Sequence, residues 1–376
     1  MHFKASGVKI AFVANTTWNI YNFRKGLVHH FLSNGDEVLV LSPRDEYTNS
    51  VVDWGVQWIE TPLNGTGKNP VEDLKYLKLL ERVFKKERPV VALAYTIKSN
   101  IYSCLASRKV ETKVICNVSG LGTVFLVKGV AGKVAMRLYK KAFKNASHVF
   151  FQNEDDRDLF VSKVDIAKDR MGILPGSGID LEAFQYSAPT YDEKTRFLMV
   201  SRLIVEKGVQ EFAEAASYFE HDEGITFTLV GRLDERHARS ISKTDLDRWV
   251  AKGWILYEEH TDQIKEFIRN HEVVVLPSYR EGTPRTLLEG AAMGRALLAA
   301  NVPGCKEVVV DGVNGFLFEA KSAKSLVDKI KLYISLKKAE RLSLSRASRD
   351  LAERKYDEKL VIESYKKVIH RMTSST

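Results

Sequence analysis

The chain has no apolar run near the ~18 residues that a helix needs to cross a bilayer, so no spanning helix is expected. Cysteine is scarce: Cys104, Cys116 and Cys305 are scattered, odd in number and lack metal-ligand spacing. That excludes a disulfide scaffold and reads as reduced core thiols in a cytosolic protein. No aspartate-rich metal triplet occurs, and no metal is expected. There is no zinc pattern, no basic tail and no aromatic-basic strand set, which argues against a nucleic-acid-binding protein. Residues Met1 to Gly7 run straight into a strand pattern without a cleavable signal.

What is present is a 376-residue chain with 44% hydrophobic and 28% charged residues, the balance of a globular protein. That length exceeds one ordinary core, and two domains are expected. The net charge of +9 admits nucleic acid, an anionic membrane surface or phosphorylated substrates as partners. Composition does not choose among them; position along the chain does.

The first half alternates strand and helix patterns. Strands are predicted at Val8–Ala14, Glu37–Ser42, Trp58–Thr61, Val90–Ala94, Lys113–Asn117 and His148–Gln152, with helices at Phe23–Asn34 and Val71–Glu87. The second half restarts with strands at Thr195–Val200, Ile225–Val230, Trp254–Tyr257, Val273–Leu276 and Ala296–Ala299, and a helix at Gly208–Phe219. Such alternation implies parallel sheets covered on both faces. The fold class is therefore α/β, with two Rossmann-like doubly wound domains. The join is expected in the Pro-, Gly- and Ser-rich stretch from Leu174 to Lys194, which divides the chain into residues 1–178 and 179–357.

The stretch Ser278-Tyr279-Arg280-Glu281-Gly282-Thr283-Pro284-Arg285-Thr286-Leu287-Leu288-Glu289-Gly290 carries the most chemistry. A buried strand precedes it, and a helix is predicted from Thr286 to Leu298. Glu281 thus sits in a strand-to-helix loop and Glu289 in the second helical turn. Backbone N–H groups at a helix start suit an anion. Carboxylates suit the hydroxyls of ribose and hexose. Solvated surface charge is the bland alternative.

A glutamate pair at this spacing, after Pro-Ser-x-x-Glu-Gly, resembles the donor site of the family-4 retaining glycosyltransferases, which share the GT-B scaffold of two domains facing across a cleft. Ser201-Arg202-Leu203-Ile204-Val205-Glu206-Lys207-Gly208 is similar to the family's diphosphate-binding segment. The resemblance implies that Arg202 and Lys207 hold the diphosphate, that Glu281 orients the hexose and that Glu289 accepts from the ribose. Arg offers a planar fork and Lys a point charge for the leaving group. Gly231, Arg232, Gly282, Thr283, Pro284 and Arg285 complete the expected donor site. It also implies that domain 179–357 binds the nucleotide sugar, that domain 1–178 binds the acceptor, and that a last helix, within 358–376, crosses back onto the first domain.

The first half departs from the commonest family pattern. In place of a Gly-Gly loop after the first strand stands Asn15-Thr16-Thr17-Trp18-Asn19, and in place of a histidine after the fifth stands Asn117-Val118-Ser119-Gly120. No catalytic histidine is assigned. With Asp45-Glu46-Tyr47-Thr48, Lys98-Ser99-Asn100 and Gly120-Leu121-Gly122, these departures resemble the PglA-like subgroup that builds bacterial N-glycans, capsule and O-antigen repeat units. The resemblance implies a UDP-sugar donor and an undecaprenyl-diphosphate-linked acceptor. Asn15, Thr16, Asn19, Lys98, Asn117 and Gly120 are the acceptor-side residues; helix capping by Asn15, Thr16 or Asn19 is the bland alternative.

Val127 to Lys144 joins an apolar stripe to six cations, among them Lys133, Arg137, Lys140 and Lys141. A basic amphipathic helix of this kind can lie on an anionic bilayer; with the lipid-linked acceptor that the resemblance implies, peripheral association with the inner face of the cytoplasmic membrane is expected. A core-packed helix with a basic outer face is the alternative. A UDP-sugar epimerase on the same scaffold is the second enzymatic reading, separable by whether turnover needs an acceptor.

Overall fold

The computed structural model describes residues 7–65, 69–121, 130–192, 194–259, 261 and 263–374, without the side chains of 130–135. The chain divides into two compact units, Met1–Ser177 with Lys359–Thr376, and Gly178–Glu358.

The first unit is built on a seven-stranded sheet: β1 (Lys9–Val13), β2 (Glu37–Ser42), β3 (Gln57–Glu60), β4 (Val91–Tyr95), β5 (Lys113–Val118), β6 (His148–Phe151) and β7 (Met171–Ile173). Its order is β3-β2-β1-β4-β5-β6-β7, and every pairing is parallel. Successive residues of a strand point to opposite faces. Accordingly Ala11, Val13, Leu39, Leu41, Ala92 and Ala94 enter one core, and Ile10, Phe12, Val38, Val40, Val91 and Leu93 the other. Burial on both faces explains why these strands read as continuous apolar runs. The second core is completed by Val361, Tyr365, Val368 and Ile369 from the helix Glu358–Thr373. Their spacing places all four on one helical stripe.

The second unit holds β8 (Thr195–Val200), β9 (Ile225–Val230), β10 (Leu256–Glu258), β11 (Val273–Leu276), β12 (Ala296–Ala300) and β13 (Gly315–Phe318). Their order, β10-β9-β8-β11-β12-β13, is the doubly wound order, again with parallel pairings. The direction of winding reverses between β1 and β4 in the first unit and between β8 and β11 in the second. Open α/β sheets bind ligands beyond the carboxyl ends of the strands at that reversal.

The structure corrects several sequence expectations. The helix expected over Thr286–Leu298 covers only Arg285–Ala292. Gly294, at φ +76°, ends it and lets β12 begin two residues later. The helix expected over Phe23–Asn34 is present as Lys25–Ser33, and a further helix that was not expected, Thr17–Phe23, precedes it across Arg24. β7 and β13 were not expected; both are short strands at the edges of their sheets. The cysteines are not all scattered: Cys104 and Cys116 are buried with their sulfurs 3.3 Å apart, unbonded.

Candidate functional site

In the second unit the chain leaves β8 at Ser201 and makes a tight turn, Val205–Lys207, that ends on Gly208 at φ +73°. An added Cβ at Gly208 would lie 2.2 Å from the Pro277 carbonyl oxygen. Only glycine allows the turn to pack on the end of β11 at this conformation. Gly231, at the end of β9, is confined in the same way: a Cβ there would stand 1.8 Å from the Ser201 carbonyl oxygen.

The loop after β11 is held from the other side. Glu281 N–H donates to the Pro303 carbonyl at 3.1 Å, and Gly304 packs against the carbonyls of Glu281 and Gly282. Pro284 caps the helix Arg285–Ala292, and its carbonyl accepts from Leu287 and Leu288. The Thr286 hydroxyl donates to the Val200 carbonyl at 3.1 Å, tying the helix start to the end of β8. Gly290 lets that helix approach Val274 of β11 closely.

These constraints bring four of the expected residues to one edge of the sheet. Lys207 and Glu281, 74 residues apart, form a hydrogen-bonded ion pair, with side chains 21% and 12% exposed. Glu289 accepts from Arg285 Nε at 3.0 Å, one helical turn away. Burial pushes the Glu289 carboxyl above its ordinary value, and the Arg285 guanidinium offsets this in part. Arg202 and Arg232 stand exposed at the ends of β8 and β9, and no described residue engages either guanidinium. Gly282, Thr283 and Pro284 form the link from Glu281 to the helix. Two ion pairs, Lys207–Glu281 and Arg285–Glu289, and a helix start therefore lie just past the carboxyl ends of β8 and β11, where the winding reverses. The arrangement can neutralise a diphosphate and accept hydrogen bonds from hydroxyls.

In the first unit a cavity of about 220 Å³ opens beyond β1, β4 and β5, at that sheet's own reversal. Asn15, Lys98, Asn117 and Gly120 line it, with Thr96 and Asn100. Sequence reading missed Thr96, which holds φ +73° at the end of β4. A β-branched residue in that region is strained, and such strain clusters at ligand sites. Lys98 is not a free cation: its ammonium lies 2.6 Å from the Asp73 carboxylate. Asn117 donates to the Tyr365 hydroxyl at 3.1 Å, so the C-terminal helix orients it. Thr16 accepts from Asn19 N–H and caps the helix Thr17–Phe23, the bland reading for that residue. Asn19 is half-buried on that helix and does not line the cavity. Gly122 lies outside the described residues, as does the side chain of Lys133.

The helix Val130–Phe143 presents Arg137, Lys140 and Lys141 outward. Its apolar residues Met136, Leu138, Tyr139, Ala142 and Phe143 pack into the first unit's core. The expectation that its apolar stripe enters a bilayer therefore does not hold over Met136–Phe143. The core already covers that stripe, and only the cations face out.

The model for the glycosyl transferase 4-like domain matches residues 23–176, and that for glycosyl transferases group 1 matches residues 182–350. An N,N'-diacetylbacillosaminyl-diphospho-undecaprenol alpha-1,3-N-acetylgalactosaminyltransferase of Campylobacter jejuni subsp. jejuni is 30% identical, over 97% of this chain and 99% of its own. A UDP-Gal:alpha-D-GlcNAc-diphosphoundecaprenol alpha-1,3-galactosyltransferase of Escherichia coli is 25% identical over 69% of this chain and 70% of its own. A glycosyltransferase structure from Rickettsia africae superposes with a TM-score of 0.81 at 17% identity, covering 98% of this chain and 100% of that one. With the doubly wound order of both sheets, this likeness makes the fold that of the GT-B glycosyltransferases. The chain belongs to the group 1 glycosyltransferases, with a glycosyl transferase 4-like first half, and it is a sugar-transferring enzyme.

Proposed function

We propose that the protein moves an N-acetylhexosamine or hexose from a UDP-sugar, with retention, to an undecaprenyl-diphosphate-linked saccharide in bacterial surface-glycan or glycoprotein-glycan assembly. The observation that carries this reading is the Lys207–Glu281 pair past the ends of β8 and β11, where the winding reverses, with Glu289 held by Arg285 on the helix that follows; Arg202 stands exposed just past β8. The printed activities of the Campylobacter and Escherichia coli relatives supply the substrate classes.

In this reading the second unit binds the donor and the first unit's cavity takes the acceptor sugar. An acceptor hydroxyl oxygen bonds to the anomeric carbon as the carbon–oxygen bond to the UDP diphosphate breaks. The bonding pair leaves with UDP, and the hydroxyl proton passes to a diphosphate oxygen. Arg202 and Lys207 are the countercharge as the leaving group develops, in the role that a metal serves elsewhere. Glu281 accepts from hexose hydroxyls and Glu289 from ribose hydroxyls.

The test is UDP release from a panel of UDP-sugars, each with and without a polyprenyl-diphosphate-linked N-acetylsugar. Release from one donor that depends on the acceptor is expected. Equal release without acceptor points to an epimerase or hydrolase instead.

Glu289 makes the donor site pH-dependent. Ribose hydroxyls bond more strongly to its ionised form, and burial raises the pH at which that form appears. UDP affinity should therefore climb as pH rises past the ordinary carboxylate range. Glu289→Gln should flatten that limb, and calorimetric UDP titrations across pH read it. An unchanged limb in the variant would remove Glu289 from the ribose.

Membrane contact in this reading is electrostatic. Among the described residues no helix is long and apolar enough to cross a membrane. Arg137, Lys140 and Lys141 form an outward basic row. At about 1 kcal/mol per cation near an anionic surface, replacing all three by glutamine should weaken binding to phosphatidylglycerol vesicles roughly a hundredfold. Unaltered vesicle sedimentation would place the contact elsewhere.

A further inference from the structure

We infer that Tyr279 and Glu211 form a clamp that sets the positions of Lys207 and Glu281 relative to each other, an assignment that rests on the donor-site reading above. The Tyr279 N–H donates to the Glu206 carbonyl at 2.9 Å, joining the loop after β11 to the turn after β8. The Tyr279 hydroxyl donates to the Glu211 carboxylate at 2.6 Å, in the first turn of the helix Val209–Tyr218. Lys207 follows Glu206 directly, and Glu281 lies two residues beyond Tyr279. Tyr279 thus ties the loop of Glu281 to the turn of Lys207 through its backbone and to the helix that follows the turn through its side chain.

The loop is also held on its far side, by Glu281 N–H on the Pro303 carbonyl. The hydroxyl bond adds the side-chain attachment on the side that faces the turn and helix after β8. A hydroxyl bonded to a carboxylate at this length is charge-assisted and among the stronger neutral-to-ion contacts. A third segment braces the ring: the Lys321 ammonium lies 4.8 Å from its centroid. Lys321 holds φ +62°, a conformation that a non-glycine residue keeps only where its surroundings impose it. Three separate stretches of the second unit therefore converge on Tyr279. Neither Tyr279 nor Glu211 needs to reach the donor; each acts through the pair it places.

A displacement of about 1 Å in a positioned group can cost on the order of a hundredfold in rate. Loss of one of several restraints is expected to cost less, about tenfold. Tyr279→Phe, which deletes only the hydroxyl, should lower kcat about tenfold while the KM for the UDP-sugar stays within about twofold. Glu211→Ala should do the same, and Glu211→Gln, which keeps an oxygen to accept the bond, should recover most of the rate. The variant with both Tyr279→Phe and Glu211→Ala should be no slower than the slower single variant, because both changes remove one bond. Wild-type kcat in Tyr279→Phe, or a double variant whose loss is the product of the two single losses, would overturn the clamp. A role in folding alone would lower the melting temperature and leave kcat per folded molecule unchanged, which also overturns it. UDP titration of the wild-type chain separates the two claims. Absent UDP binding fails the donor site and the clamp together; UDP binding and transfer with an unaffected Tyr279→Phe fails the clamp alone.

Discussion

Lys207→Ala and Glu281→Ala are each expected to lower acceptor-dependent sugar transfer by about a thousandfold, the range found when a preorganised group facing developing charge is removed. The two variants should differ in binding. Lys207 is read as meeting the diphosphate, so its loss should weaken UDP binding as well as turnover. Glu281 is read as meeting the hexose, which UDP lacks, so Glu281→Ala should bind UDP nearly as the parent does. The residues form an ion pair, and each variant strands the other's charge. The combined variant should therefore be no worse than the poorer single one. Both side chains keep some exposure, so water can solvate the survivor and the fold should persist. Transfer and UDP calorimetry on the three variants test this. Near-parental turnover in either single variant would take that residue out of the mechanism.

Arg295→Ala is expected to destabilise the protein by about 4 kcal/mol, because it leaves several buried acceptors without a donor. Arg295 is fully buried. Its guanidinium donates to the carbonyls of Met293 at 2.7 Å, His271 at 3.0 Å and Arg269 at 3.3 Å, and to the Ser187 carbonyl and hydroxyl. It therefore joins four segments: the approach to β8, the end of the helix Ile264–Arg269, the start of β11 and the end of the helix Arg285–Ala292. Burial lowers its pKa to about 10, which still leaves it charged near neutrality. Arg295→Met should cost nearly as much, since an apolar chain fills the space but donates nothing. A melting temperature lowered by about 10 °C is expected in each. Parental melting in Arg295→Ala would mean that water replaces the guanidinium.

Much of this enzyme is legible in the chain because it rests on local periodicity. Parallel strands buried on both faces must be apolar throughout, so Glu37–Ser42, Thr195–Val200, Ile225–Val230 and Val273–Leu276 are read from sequence at their observed bounds. The site residues after β8 and β11 are legible for the same reason. Chemistry in such sheets sits where a strand ends, and Arg202, Lys207 and Glu281 each stand just past one. The pattern of Glu281 and Glu289 was sufficient to name the family.

What the sequence by itself determined, then, was two doubly wound α/β halves, the family, and the strand-end residues proposed for its chemistry. Only the tertiary structure decided which charges meet. Lys207 pairs with Glu281 across 74 residues and Lys98 with Asp73 across 25. Cys104 meets Cys116, Asn117 meets Tyr365, and Arg295, which falls in sequence within the helix expected over Thr286–Leu298, is buried among carbonyls. The apolar stripe of the basic helix is likewise assigned to the core only by packing. Periodicity reports which face of a segment is apolar, because that is set within a turn or two of chain. It carries no record of the partner on that face, which depends on the order in which strands lie side by side.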